Sequence, residues 1–282
     1  MSLVWINGTL ADKLDARVSP FDHGFLYGDG VWEPLRVFGG ALFRAPDHLR
    51  TLFRAAHALD LHVPLSPDEL RAAVEATVKA NNRTEGYVRV IVTRGPGTIG
   101  PDPRKIEPQI LITAEEYQPF PQELYGHGLH AVVSPLRLDP ENPAHRFRTL
   151  NQLHVVRAKQ HALQNGCLEA LFENRDRNIV GATEGFVFAV KDDAVVVLGD
   201  QAEDPTGFAV AAAIGAAGAV VAEYTMTRAD LLAADEVFVA GTACGVIGIV
   251  RVDGTDIGTG TQGPVTQKVR ELYQHLTRGE PK

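Results

Sequence analysis

At 282 residues, with 45% hydrophobic and 22% charged content, the chain has apolar material for one large core or two moderate ones, which excludes a disordered chain. A formal net charge of −8 argues against general nucleic-acid binding, while leaving open a small anion held by a few arginines. No apolar run reaches the roughly 18 residues of a membrane helix, and the opening MSLVWINGTLADKLDA has no basic segment followed by an apolar one, so a cytoplasmic location is expected.

Residues 4–6 followed by Asn7 and Gly8 read as a strand entering a hairpin turn, and 31–38, Gly39-Gly40 and 41–44 repeat strand, turn and strand. From Ala45 the period becomes helical: Pro46 suits a first turn, and Leu49, Leu52, Phe53, Ala56 and Leu59 recur on one face. Ser66, with Glu69 three residues on, caps a second helix running towards Ala80. Segments 87–93 and 109–114 are β-rich and flank a Gly/Pro-rich loop at 95–103. Two prolines in 116–123 mark a linker. The expected organisation is an N-terminal α+β domain over 1–115, a short linker over 116–128 and a C-terminal α/β domain over 129–282. The second domain should hold a helix over 151–165, strands at 169–173, 186–190, 194–198 and 236–240, and an alanine-rich helix over 208–217. Cys167 and Cys244 lack disulfide or metal spacing and read as reduced, buried thiols.

The run Phe21-Asp22-His23-Gly24-Phe25-Leu26-Tyr27-Gly28-Asp29-Gly30-Val31-Trp32-Glu33 resembles the N-terminal signature of class IV aminotransferases. The resemblance continues in order through Asp47-His48-Leu49, Tyr87-Val88-Arg89, Val92-Thr93-Arg94-Gly95, the helix opened by Asn151, Gly166-Cys167-Leu168-Glu169-Ala170, Asp235-Glu236-Val237-Phe238 and Gly241-Thr242-Ala243. The strand with Tyr87 and Arg89 and the loop after Arg94 look closest to branched-chain amino acid aminotransferases. This resemblance implies a fold-type IV, aminotransferase-like architecture of two domains, a homodimer, an active site at the domain junction and pyridoxal phosphate as the family's cofactor.

Pyridoxal phosphate chemistry requires a lysine amine, an acid on the pyridine nitrogen, an arginine on the phosphate and a loop of backbone amides around it. The family's K-(S/T)-x-N pattern falls on Arg148-Thr149-Leu150-Asn151, so Arg148 takes the place of the lysine. A guanidinium stays protonated and cannot form the imine. Lys159 lies eleven residues further on. By the same resemblance the acid falls on Gly181, with Glu184 nearby, and the phosphate arginine on Thr51, bracketed by Arg50 and Arg54. The phosphate loop falls on Pro205-Thr206-Gly207-Phe208-Ala209-Val210, preceded by Asp200, Glu203 and Asp204, whose carboxylates repel a phosphate. Phe208, Ala209, Thr242 and Ala243 occupy cofactor-binding positions. The expectation is that no cofactor is held, with rescue by Glu184 or Arg54 left open.

Several readings stay open. Arg148 either projects into the former cofactor cavity and binds an anion or is ion-paired at the surface, and Arg89 either faces substrate or faces solvent. Arg36 is expected to pair with Glu33. His23 and His48 read as structural, and no metal spacing occurs around them. His145, Arg146, Arg148 and His154 form a cationic cluster in sequence, in which His145 or His154 offers an acid or base; Arg146 and His154 equally suit solvated positions. Tyr27, Trp32, Arg89 and Arg148 are the expected substrate-binding set. Three functions follow: a branched-chain-aminotransferase-like protein that binds or transforms a small carboxylate without the cofactor, an aminotransferase with non-covalently held pyridoxal phosphate, and a non-catalytic dimeric binding protein.

Overall fold

A computed structural model of the chain describes residues 2–192, 194–199 and 205–279, apart from the side chains of Phe208, Val221 and Glu223. Two compact units emerge, Met1–Tyr117 with Pro140–Gln152, and Gln118–Asp139 with Leu153–Lys282.

In the first unit, β1 (Leu3–Ile6), β2 (Thr9–Asp12), β3 (Gly30–Phe38), β4 (Ala41–Leu42), β5 (Gly86–Thr93) and β6 (Gln109–Glu115) form a sheet in the order β2-β1-β6-β5-β3-β4. Every neighbouring pair is antiparallel. Asn7 and Gly8 turn β1 into β2 with φ of 47° and 96°, the left-handed backbone that this pair tolerates. A short helix, α1 (His23–Tyr27), precedes β3, and α2 (Ala45–Ala58) and α3 (Pro67–Ala80) pack on the sheet. Ser66 and Glu69 close the expected capping box at the start of α3. Along β3 the strand alternation sends Val31, Leu35 and Val37 into the core, where they meet Leu49, Leu52, Leu70, Val74, Val88 and Val90. Each such side chain contributes about 1.5–3 kcal/mol by leaving water. Glu33 has the same parity and is also fully buried.

Beyond Tyr117 the chain forms α4 (Leu124–His127) and β7 (Leu129–Val133), then adds α5 (Pro143–Arg146) to the first unit. The second unit continues with α6 (Leu153–Gln164), β8 (Glu169–Glu173), β9 (Ile179–Ala182), β10 (Phe186–Lys191), β11 (Ala194–Leu198), α7 (Pro205–Ala216), β12 (Val220–Glu223) and α8 (Arg228–Leu232). It ends with β13 (Glu236–Gly241), β14 (Gly245–Val252), β15 (Thr255–Asp256) and α9 (Pro264–Arg278). The sheet runs β12-β11-β10-β13-β14-β7-β8-β9, with β15 on β14. Its β11–β12, β14–β7 and β7–β8 pairs are parallel and the rest antiparallel. Strands β8 and β13 are buried at every position, as expected where both faces of a mixed sheet are covered.

The sequence reading kept 140–152 with the second domain. Backbone pairing instead groups it with the first unit: Thr149 bridges Val31, and the Arg148 carbonyl accepts from Trp32 N at 2.9 Å. Cys244 is buried as expected, whereas Cys167 is only partly buried at the turn after α6. Among the described residues no helix is long and apolar enough to cross a membrane, and no cluster of three or more His, Cys, Asp and Glu suits a metal ion.

Candidate functional site

In the first unit, Arg148 lies on Glu33. Its Nη1 is 3.2 Å from Glu33 Oε2 and 3.4 Å from Oε1. From α2, His48 Nδ1 approaches Glu33 Oε1 at 2.7 Å. The acceptor is a carboxylate, so Nδ1 of His48 carries the hydrogen. The side chains of Glu33 and His48 are each 1% exposed, whereas Arg148 is 26% exposed. A carboxylate taken out of water costs several kcal/mol unless paired and hydrogen-bonded, and these two partners offset that cost. The need of Arg148 for a counterion, which the sequence assigns to a ligand, is therefore met in part by Glu33.

Arg36 does not pair with Glu33. Three positions along β3 put the two side chains on opposite faces, and Arg36 Nη1 donates to the Tyr117 carbonyl at 3.0 Å, its guanidinium 5.4 Å from the Phe38 ring centre. Trp32 and Arg89 meet on the face away from the core: the Arg89 guanidinium stands 4.2 Å from the Trp32 ring centre and 5.9 Å from that of Tyr87. Arg89 is exposed and forms no ion pair among the described residues, and the Trp32 indole nitrogen is buried without a hydrogen-bond partner. Tyr27 is exposed on α1. Its hydroxyl donates to the Ile99 carbonyl and its ring meets His23 edge-on at 5.0 Å. Thr51 Oγ1 donates to the Asp47 carbonyl, Arg50 pairs with Asp47 at 3.1 Å, and Arg54 is exposed.

In the second unit, Gly181 sits in β9 opposite Phe172, and a Cβ built on it would meet nothing nearer than the Gly185 carbonyl at 3.9 Å. Glu184 is ion-paired with Lys159 at 3.3 Å, and Lys159 Nζ also donates to the Leu168 carbonyl at 2.6 Å. Fully buried Glu169 accepts through Oε1 from the backbone N–H groups of Ala170 and Thr183 and from the Thr183 hydroxyl, while its Oε2 has no partner. Burial pushes its pKa up to about 7 against the opposing pull of the Thr183 hydrogen bond and the Lys159 charge. Burial, with the nearby charges of Glu184 and Glu169, likewise holds the Cys244 thiol well above its ordinary range.

The 205–210 run, read from sequence as a phosphate loop, forms the first turns of α7. Thr206 and Thr242 share a hydrogen bond at 2.7 Å, with Thr242 and half-buried Ala243 in the turn between β13 and β14 and buried Ala209 on α7. Asp200, Glu203, Asp204 and the Phe208 side chain lie outside the described residues. His145 and His154, both in the sequence cluster, belong to separate helices grouped with different units: His145 to α5, and His154 to α6, where its ring stands 6.2 Å from that of Phe172. Missing from the sequence-derived site are Glu33 and His48. The signal for them was the inward parity of Glu33 on β3 beside a histidine on the buried face of α2.

The amino-transferase class IV description matches residues 30–252. A putative branched-chain-amino-acid aminotransferase of Methanocaldococcus jannaschii is 34% identical over 280 residues, covering 97% of this chain and 96% of the relative. Among solved structures, the Escherichia coli branched-chain amino acid aminotransferase superposes with a TM-score of 0.93 at 26% identity, covering 100% of this chain and 96% of that one. The T.th. branched-chain enzyme, solved with pyridoxamine 5'-phosphate, gives a TM-score of 0.92 at 26% identity, covering 99% and 95%. The fold is that of the fold-type IV branched-chain aminotransferases. The expectation that no cofactor is held finds no support in these comparisons.

Proposed function

The chain belongs to the class IV aminotransferase family, and from that membership we propose that it keeps the branched-chain-aminotransferase scaffold but uses it to bind or transform a small carboxylate through Arg148. The carrying observation is a partly exposed guanidinium, anchored from behind by buried Glu33, at the position where the resemblance puts the reactive lysine. Anchoring fixes the fork that a carboxylate ligand needs, and a charge-assisted pair of this kind contributes about 1.5–3 kcal/mol.

The residues at the cofactor positions do not fit covalently held pyridoxal phosphate. Arg148 offers no nucleophilic amine, Gly181 offers no acid, and the Thr51 hydroxyl is turned to the Asp47 carbonyl. The two candidates for rescue on the second unit, Lys159 and Glu184, neutralise each other. A second reading, transamination with the cofactor held non-covalently, is favoured by the names of the relatives and by the cofactor form bound in the T.th. enzyme.

Calorimetry against 2-oxo acids, dicarboxylates and 4-methylvalerate tests the proposal. Arg148→Met should weaken the cognate anion tenfold or more, and Arg148→Lys should preserve it only in part, because the bidentate fork is lost. Treatment with pyridoxal phosphate and borohydride should leave position 148 unmodified. Measurable amino transfer by the wild type would establish the second reading, and absence of heat from every anion would leave a non-catalytic protein.

A further inference from the structure

In the second unit, α6 packs through fully buried Ala158 and Ala162 on Val132, Ala170 and Phe172 of β7 and β8. Alongside runs the segment that leaves β7, held by three hydrogen bonds: Ser134 N to the Leu171 carbonyl at 2.7 Å, Leu136 N to Ser134 Oγ at 3.1 Å, and Leu138 N to the Glu173 carbonyl at 2.9 Å. Between helix and segment lies a cleft of about 360 Å³, lined by Pro135, Leu136, Arg157, Gln160, His161 and Gln164. That volume suits a small-molecule ligand. The four helix residues follow the i, i+3, i+4, i+7 spacing of a single helix face. None of their side chains has a hydrogen-bond or ion-pair partner among the described residues. The lining thus brings together one guanidinium, one imidazole and two carboxamides, with no carboxylate. The acids at the ends of β8 and of the segment serve other arginines: Glu173 holds Arg177 at 3.0 Å and Arg137 at 3.7 Å, and Asp139 holds Arg175 at 2.7 Å. Lys159, the other permanent cation of α6, is paired with Glu184 at 3.3 Å. Arg157 is the cation of this helix left facing solvent without an anion.

We propose that this cleft is a second binding site, separate from Arg148, for a small polyhydroxylated monocarboxylate such as a sugar acid. Arg157 takes the carboxylate, because its planar fork matches two carboxylate oxygens. A single negative charge is favoured over a dianion for two reasons. The cleft offers one permanent cation, and it extends towards Gln164, where the carbonyl end of α6 carries partial negative charge. Gln160 and Gln164 each present a donor and an acceptor, as does a hydroxyl group, so the two carboxamides suit neighbouring hydroxyls along a carbon chain. Pro135 and Leu136 supply an apolar wall for its C–H groups. Both walls are fixed by the contacts above, so little ordering is needed on binding.

Calorimetry of the full chain with D-gluconate tests the site, with D-glucitol, which lacks the carboxylate, and hexanoate, which lacks the hydroxyls, as comparators. Gluconate should bind at one site per chain, and each comparator about tenfold more weakly or less. Arg157→Met, a change of an exposed side chain, should weaken gluconate about tenfold or more. Gln160→Leu with Gln164→Leu should remove the preference for gluconate over hexanoate. Arg148→Met should leave gluconate affinity as in the wild type. No gluconate binding by the wild type overturns the site. Binding that survives Arg157→Met but is lost in Arg148→Met also overturns it, by moving the carboxylate to the first unit. Hexanoate or inorganic phosphate binding as tightly as gluconate overturns the ligand class.

Discussion

Glu33 Oε2 stands 3.2 Å from Arg148 Nη1, joining a strand buried in the first unit's core to the segment that follows α5. Removing Arg148 leaves Glu33 with a buried charge that the His48 hydrogen bond then offsets in part. Arg148→Met should cost about 1–3 kcal/mol, below the range for fully buried pairs, because Arg148 is partly exposed and His48 still bonds Glu33. The double variant Arg148→Met/Glu33→Gln should be more stable than Arg148→Met alone, since no orphan charge remains. Urea denaturation of the four proteins of this cycle measures the coupling, and strict additivity would show that the two residues do not interact.

Much of this architecture was legible in the sequence for local reasons. The Asn7-Gly8 turn, the Ser66 and Glu69 cap and the inward period of α2 are set by residues close together in the chain. The grouping of 140–152 with the first unit was not, because it depends on pairing Val31 with Thr149 across more than a hundred residues. For Glu33 the partner expected from the sequence was Arg36. Arg36 is near Glu33 in sequence, whereas strand alternation separates them and brings Glu33 to His48 and Arg148 instead. Helix α9 had readable punctuation, with Pro264 in its first turn and Gly279 in the left-handed region at its end, and its buried Val269 and Tyr273 have helical spacing.

Glu169 should make stability fall as pH rises. Its carboxyl keeps its proton up to about pH 7 in the folded protein, against an ordinary value of 4.5. Between those values the unfolded chain has released the proton and the folded chain has not, so unfolding becomes easier with increasing pH, by about 3 kcal/mol once both limits are passed. Glu169→Gln should flatten that dependence and raise the melting temperature at pH 8 relative to the wild type. Thermal melts from pH 5 to 8 decide it, and parallel curves for the two proteins would place the ionisation elsewhere.

We expect a homodimer formed through the region around α1. Phe21, Phe25, Leu26 and Tyr27 are 50%, 73%, 38% and 41% exposed, and Ile99 in the 95–103 loop is 74% exposed, an apolar display that a second copy would cover. Phe25→Glu with Ile99→Asp should yield a monomer of unchanged secondary structure, since neither side chain belongs to a core. Light scattering of the wild type as a stable monomer at micromolar concentration would refute the dimer.

The last prediction tests whether the residues at the positions that the resemblance assigns to the cofactor decide its binding. If the losses at positions 148, 181 and 51 are what prevent covalent pyridoxal phosphate chemistry, Arg148→Lys, Gly181→Glu and Thr51→Arg together should restore it in part. Space favours the second change, since a Cβ at Gly181 meets only a carbonyl oxygen at ordinary contact distance. For the first, a lysine retains a cation for Glu33 and gains an amine able to react. The third replaces a hydroxyl whose hydrogen bond to the Asp47 carbonyl is weak and lies within its own helix. Arg148→Lys alone should give little stable adduct, because no acid then supports the pyridine nitrogen and no arginine holds the phosphate. The measurement is mass spectrometry after pyridoxal phosphate and borohydride, mapping the adduct to position 148, with absorbance followed in parallel. An adduct on Lys159 in the wild type would mean that its pairing with Glu184 is readily broken and that the register assigned to position 148 is wrong. No adduct in the triple variant, with the fold intact by circular dichroism, would move the block to the first turns of α7, which the resemblance assigns to the phosphate.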